Sequence, residues 1–426
     1  MGVLEGATGL PVGFHSEDTS NVGDIKSSTD ENPMAAQSFL RQVGPAVFLV
    51  VIFFLNFVSR MIFAPLLPTI EKELAISHGQ AGFFFFLISA GYLAGLLLSG
   101  FLSSRSTHRS AITASGAGVG VSLLALSVAG GPWTMRCGFF ALGFACGLYM
   151  PSAIATITSL IDRQHWGKAI AVHELAPNLA FFSAPFIAEL FLRWLTWRAA
   201  LGALGAAALM VVLAFFRYGR GGDFPGEPPT ASAMGLLMRT SSFWLMVLLF
   251  GMGVSVTVGV YAMLPLYLVN ERQMDSTWAN TIVALSRVHG PFLGLLGGWV
   301  SDRLGPKRTI VISLLFSGVL TLLLGWASER GLSAVVFVQP LLAVWFFPAG
   351  FAALAMITPP QARNLSVGFT VPFGYLIGGG AIPTFVGVMG DAGSFAFGLM
   401  VTGVLILGAG IAALRLKLPD RSQPST

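Results

Sequence analysis

Five ionisable residues stand inside long apolar runs: Arg60 in NFVSRMIFAPLLP, His173 and Glu174 in AVHELAPN, and Arg287 and His289 in LSRVHGPF. An ionised side chain at the centre of a bilayer costs at least about 2.5 to 3.5 kcal/mol, so those that persist there usually face a cavity and handle an ion or a substrate. A guanidinium suits an anion, because its fork matches two oxygens at once and it keeps its charge when dehydrated. A neighbouring imidazole and carboxyl suit a proton, because burial disfavours the charged form of each. Arg60 and Arg287 are therefore the candidate substrate ligands, and His173 with Glu174 the candidate proton carriers. The competing reading makes each a structural charge, paired permanently with a neighbour. Arg287 and His289 are two residues apart, about 200 degrees around a helix, so both cannot face one cavity. Arg287 is assigned to the cavity and His289 to packing. Asn56, Tyr261 and Tyr375 are expected to shape the substrate wall, with Tyr149 and Trp345 as further aromatics on the same helices.

The elements that must hold these residues follow from composition. Of 426 residues, 54% are apolar and 10% charged, and the mean hydropathy is +0.77. Such a chain has too little polar surface for a water-soluble body of this size and belongs in a lipid bilayer. The net charge of +5 is spread over short connectors without a basic stripe, so nucleic acid is not an expected partner. Cys137 and Cys146 are the only cysteines, and both lie in an apolar run, which leaves no disulfide framework and no metal cluster. No cofactor is expected.

Twelve apolar runs are each long enough to cross about 30 Å of hydrocarbon as a helix. The first is read at 45–68, the fifth at 167–192 and the eighth, carrying Arg287, at 277–300. The organisation read from them is a disordered polar tail (1–43), six helices (44–216), a Pro/Gly-rich linker containing GRGGDFPGEPPT (217–242), six more helices (243–415) and a short tail (416–426). Lys72, Arg136, Arg193, Arg198, Arg272 and Arg330 fall on one side and the more numerous remaining connector cations on the other. The positive-inside rule then places both termini in the cytoplasm of a cell inner membrane.

GWVSDRLGPKR follows the eighth run, and GFLSSRSTHRS follows the second as a worn copy of it. A repeated loop at matching places in two halves is the mark of a duplicated six-helix unit. The glycine, the Asp-Arg pair, the second glycine and the basic pair, at Gly298, Asp302, Arg303, Gly305, Lys307 and Arg308, resemble the loop signature of the major facilitator superfamily of secondary transporters. The resemblance covers residues 44–415 and implies an all-α membrane fold of two pseudo-symmetric six-helix bundles working by alternating access. It implies that Asp302 helps hold a gate by contacting a helix terminus of the other half, here the start of the fifth helix near Gly167. The copy has Ser104 in place of the acid and Thr107 in place of the second glycine, which weakens whatever that loop does in relatives.

Further residues refine the branch. Arg60, eight residues before Pro68, resembles the substrate arginine of organic-anion and organophosphate members. The matching position before Pro265 is Thr257, which argues against a doubly charged phosphate. An arginine on the eighth helix is similar to that of monocarboxylate transporters, although theirs sits closer to the loop. SAPFIAEL lacks the glycines of the drug-antiporter signature. The sequence has no GxxxxGK[ST] loop to cradle ATP. The expectation is a non-enzymatic, monomeric transporter that carries a small organic anion such as a monocarboxylate in symport with protons. The alternatives are a proton-driven exporter of drugs or metabolites and a membrane sensor that binds without flux.

Overall fold

The computed structural model describes residues 44–226, 241–358 and 363–418, with side chains in the last stretch described from Ser366. The expected tail 1–43, linker residues 227–240 and residues 419–426 lie outside the described residues. In hydrocarbon every backbone N–H and C=O must be paired within the segment, which leaves the helix as the element for an open chain. Eleven helices are long and apolar enough to span a membrane: α1 (Gly44–Leu74), α2 (His78–Arg105), α3 (His108–Ser127), α4 (Pro132–Leu160), α5 (Arg163–Trp194), α6 (Trp197–Tyr218), α7 (Ser241–Asn270), α9 (Pro306–Trp326), α10 (Glu329–Ile357), α11 (Ser366–Asp391) and α12 (Phe395–Arg415). The remaining one, α8, is in two pieces, Ser276–Leu285 and Gly290–Leu304. This corrects the expectation of one continuous helix over 277–300, with the break falling on Arg287 itself.

Side-chain caps start α2, α3, α6, the first piece of α8, and α12, where Ser77, Thr107, Thr196, Asp275 and Ser394 each accept a backbone N–H of the first turn. α1 runs past the expected 68 to Leu74 because its polar last turn finds partners. Glu71 takes His78 at 2.8 Å, and Glu73 accepts from Trp197 and pairs with Arg198.

Within the first half α1 packs on α5, α2 on α4 and α3 on α6, and within the second α7 packs on α11 and α9 on α12. The halves meet where α2 lies on α11, α1 on α7 and α5 on α8. α7 and α11 each contain a π-helical turn, Ser255–Gly259 and Leu376–Ala381, and these turns press together through glycine. A Cβ at Gly259 would stand 2.3 Å from the Gly378 carbonyl oxygen. Part of the linker is described, and it lies across the loop between α2 and α3. Arg109 N–H donates to Gly222 O (2.8 Å), His108 N–H to Phe224 O (3.1 Å) and Gly226 N–H to Ser103 O (2.9 Å).

Hydrogen bonds fasten the two halves on the side away from the termini. On the side away from the termini, Asp391 at the end of α11 accepts from Ser77 Oγ (2.8 Å) and from the N–H groups of His78 (2.8 Å) and Gly79 (2.9 Å), closing onto the start of α2. Glu189 of α5 accepts there from Thr277 (2.7 Å) and Asn280 (3.2 Å) of α8. A Cβ at Gly387 would come within 2.3 Å of His78 O, so backbone touches backbone across the seam. Towards the terminus side, a Cβ added at Gly167, Gly294, Gly298 or Gly305 would meet nothing within 4 Å. Gly387→Val is therefore expected to cost about 1 to 3 kcal/mol through overpacking. Gly294→Ala, in open space, should hold or raise stability. Thermal unfolding of the purified protein in detergent checks the contrast, and equal Tm values for the two variants would contradict it.

Candidate functional site

Four prolines set the site. Pro65, Pro151, Pro177 and Pro291 have no N–H to give the carbonyls four residues earlier, those of Met61, Gly147, His173 and Arg287. Each of α1, α4, α5 and α8 loses regular helix at or next to that point, at Ile62, Leu148, Glu174 and Ser286–His289. The charged residues singled out in the sequence sit on these breaks. At the α5 break, Asn178 Nδ2 donates to Glu174 O at 3.1 Å. At the α8 break, Gly290 N–H returns to Arg287 O at 3.1 Å. The two breaks face each other: a Cβ at Gly290 would lie 2.7 Å from Asn178 Oδ1, so a larger residue there would displace the Asn178 side chain.

Arg60 and Arg287 are both buried, at 4% and 6% exposure. Among the described residues neither has a carboxylate within 4 Å, and the Nε of each has no hydrogen-bond partner. Aromatic rings surround them instead. The guanidinium carbon of Arg60 is 4.6 Å from the centre of Phe57, 4.9 Å from Tyr92 and 5.6 Å from Tyr375. That of Arg287 is 5.1 Å from both Phe181 and Tyr261. The two groups of rings touch through Phe57 and Phe181, whose centres are 5.2 Å apart. Ring faces attract a cation by about 0.5 to 2 kcal/mol each without neutralising it.

The cages join five helices: α1, α2 and α5 from the first half, and α7 and α11 from the second. Tyr261 and Tyr375, named from sequence, fall in the cages of Arg287 and Arg60 respectively. Phe57, Tyr92 and Phe181 were not legible as site residues, since one aromatic among many in an apolar helix carries no mark. Asn56 lies one turn before Arg60, and its amide donates to Cys146 O at 3.1 Å, tying α1 to α4. His289 diverges from Arg287 and meets Phe337 of α10 edge-on at 5.7 Å.

His173 is fully buried and stacks on Phe53 with ring centres 4.3 Å apart. Tyr149 Oη donates its one proton to Leu49 O at 2.5 Å, so it can only accept from His173 Nε2 at 3.1 Å. The neutral ring then carries its hydrogen on Nε2 and leaves Nδ1 as a lone pair. Glu174 Oε1 stands 3.6 Å from that Nδ1, and its side chain is 46% exposed. A lone pair facing a carboxylate is repulsive; one proton placed between them makes the contact attractive. Tyr149, an unranked aromatic in the sequence, thus fixes which nitrogen faces Glu174.

Asp302 and Arg303 end α8 on the surface, with the Arg303 guanidinium 4.8 Å from the Trp299 ring. Gly305 closes the helix at φ +87°, a conformation that favours glycine, and its N–H reaches Ser301 O at 3.0 Å. Among the described residues no group of three or more His, Cys, Asp or Glu is placed to hold a metal ion.

Known proteins share this architecture. Structures of a bacterial homologue of the human lysosomal transporter Spinster superpose with TM-scores of 0.74 and 0.75 at 15% and 16% identity, covering 89% of this chain and 96% and 98% of those chains. The nucleoside transporter NupG superposes at 0.72 and 14% identity, over 87% of this chain and 99% of that one. At such identities the likeness is one of fold. In sequence, the chain is 29% identical to a probable sulfoacetate transporter of Cupriavidus necator, over 32% of this chain and 33% of that protein, so it spans about a third of that relative. It is 25% identical to a probable 4-methylmuconolactone transporter of Cupriavidus pinatubonensis over 64% of this chain and 68% of that protein. It is 22% identical to a gallate transporter of Pseudomonas putida over 86% and 90%. The Major Facilitator Superfamily profile matches residues 49–294 and 288–426, spanning both loop copies and every broken helix of the site. With that match laid over an all-helical membrane fold, the chain belongs to the Major Facilitator Superfamily of transporters.

Proposed function

We propose that this protein carries a small organic anion across a cell inner membrane in symport with protons, with both termini in the cytoplasm and two six-helix bundles, 44–216 and 243–415, rocking about the seam between them. The observation that carries the reading is the pair of buried arginines, one from each half, without a carboxylate within 4 Å among the described residues. A permanent structural charge is ordinarily paired, because an uncompensated buried ion costs several kcal/mol. An arginine held between rings with an N–H unused is poised for an anion that comes and goes. Three relatives named for small organic acids support the same substrate class.

The proton falls to Glu174 and His173. Their contact is repulsive when empty and attractive with one proton, and the carboxylate is half-exposed while the imidazole is fully buried. The gate falls to Gly298, Asp302, Arg303 and Gly305. The hydrogen bonds of Asp391 and Glu189 fasten the two halves on the side away from the termini, and the loop gate is assigned to the opposite side. The protein works as a monomer in this scheme, since both arginines come from one chain.

Purified protein in proteoliposomes, given an inward proton gradient and labelled organic acids, tests these assignments. Arg60→Ala is expected to lower uptake by about tenfold or more, the loss of at least one charged contact of about 1.4 kcal/mol, whereas unchanged uptake would remove Arg60 from the substrate site. Glu174→Gln should abolish accumulation driven by the proton gradient yet retain exchange of labelled for unlabelled substrate at equal pH. If Glu174→Gln still accumulates substrate against its gradient, the proton travels by another route.

A further inference from the structure

The two arginines do not share one pole of the site. Arg60 stands over rings of α1, α2 and α11, and Arg287 over rings of α5 and α7, with no ring common to both. The cages meet at Phe57 of the first and Phe181 of the second, edge to face at 5.2 Å. Rings stand against each guanidinium, and each keeps a buried Nε without a hydrogen-bond partner. Each cage therefore presents its own cation, with no ring and, among the described residues, no carboxylate shared between the two. Glu174 does not supply the missing charge: it lies more than 4 Å from either guanidinium and 3.6 Å from His173.

We infer that the anion carried here bears two acidic groups on one short skeleton, a dicarboxylate or a sulfocarboxylate, and that Arg60 binds one group and Arg287 the other. The inference rests on the reading of both arginines as substrate ligands, and it revises the expectation of a monocarboxylate. A monoanion would balance one guanidinium and leave the other buried and unpaired when the site closes, which is the costly arrangement. A dianion balances both, and its middle would run past Phe57 and Phe181, where a flat or apolar segment fits and further polar groups would lose their hydration.

Exchange in proteoliposomes at equal pH on both sides tests this without engaging proton coupling. The probes are two matched pairs that differ by one acidic group, benzoate against terephthalate and acetate against sulfoacetate. For at least one pair the dianion is expected to exchange about tenfold faster than its monoanion at equal concentration. Arg287→Gln should remove that advantage, bringing the dianion down to its monoanion's rate, and Arg287→Lys should restore part of it. Monoanions exchanging as fast as their dianions in the unmodified protein would overturn the inference and leave the arginine site standing. An Arg287→Gln protein that slows both members of a pair equally would do the same. Neither class exchanging, with no anion raising the Tm, would overturn the organic-anion reading itself.

Discussion

A backbone carbonyl inside a membrane has no water to turn to, and a proline four residues on withdraws the one donor the helix would have offered. This constraint arranges the centre of the molecule. The carbonyls released by Pro65, Pro151, Pro177 and Pro291 belong to Met61, Gly147, His173 and Arg287. Arg60, Tyr149, Glu174 and Arg287 each lie within two residues of one of them. Helix geometry relaxes at these points, and the local turn frees side chains from the strict 3.6-residue screw. Arg287 turns to α5 and α7 and His289 to α10, a divergence that two residues on a helix already impose. Breaks in α5 and α8 meet at Asn178 and Gly290, so the relaxed segments from opposite halves form one place rather than two.

A break admits a charge, and the surroundings decide what becomes of it. Pairing Arg60 with a carboxylate would stabilise it and cancel its field. Rings do the first in part and avoid the second, since the quadrupole attraction leaves the full positive charge in place. The carboxylates that bridge the two halves are stationed elsewhere, with Glu71, Glu189 and Asp391 on the side away from the termini. There they accept from hydroxyl, amide and backbone N–H donors and fasten the seam. Bridging acids thus hold the closed end, while caged cations occupy the middle.

The sequence showed the helices well where hydropathy alone decides. The sixth span was read at 197–216 and runs Trp197–Tyr218, and the last was read at 393–415 and runs Phe395–Arg415. It misjudged the end of α1, because TIEKEL is polar in a hydropathy window, which counts charges and does not see that Glu71 and Glu73 have partners on other helices. It read α8 as unbroken although Pro291 was in view, because the length and polarity of the run matched a full crossing. The charged members of the site were legible from the cost of their burial. The rings around them were not, since cages form between helices far apart in the chain, and 35 phenylalanines offer no basis for choosing Phe57 and Phe181. Nor could the orientation of His173 be read, since it follows from a hydroxyl whose only proton goes to a third helix.

The worn loop copy gains a physical meaning from what it holds. In GFLSSRSTHRS the position of the second glycine is Thr107, whose side chain caps α3, so this turn does without the left-handed residue that Gly305 supplies at the end of α8. Of its two arginines, Arg109 is turned inward along the first half, to Phe216 O at 2.9 Å and to Asp223 of the linker at 3.3 Å. The ion pair is exposed and worth little on its own, but three backbone hydrogen bonds and the edge contact of His108 with Phe224 at 4.8 Å accompany it. Gly222, at φ +76°, lets the linker lie against Arg109, where a Cβ would come within 3.0 Å of its amide nitrogen. This loop, without an acid at Ser104, is the seat of the described part of the linker. At the second-half loop, by contrast, a Cβ at Gly298 or Gly305 would meet nothing within 4 Å, so the two copies differ in what packs on them.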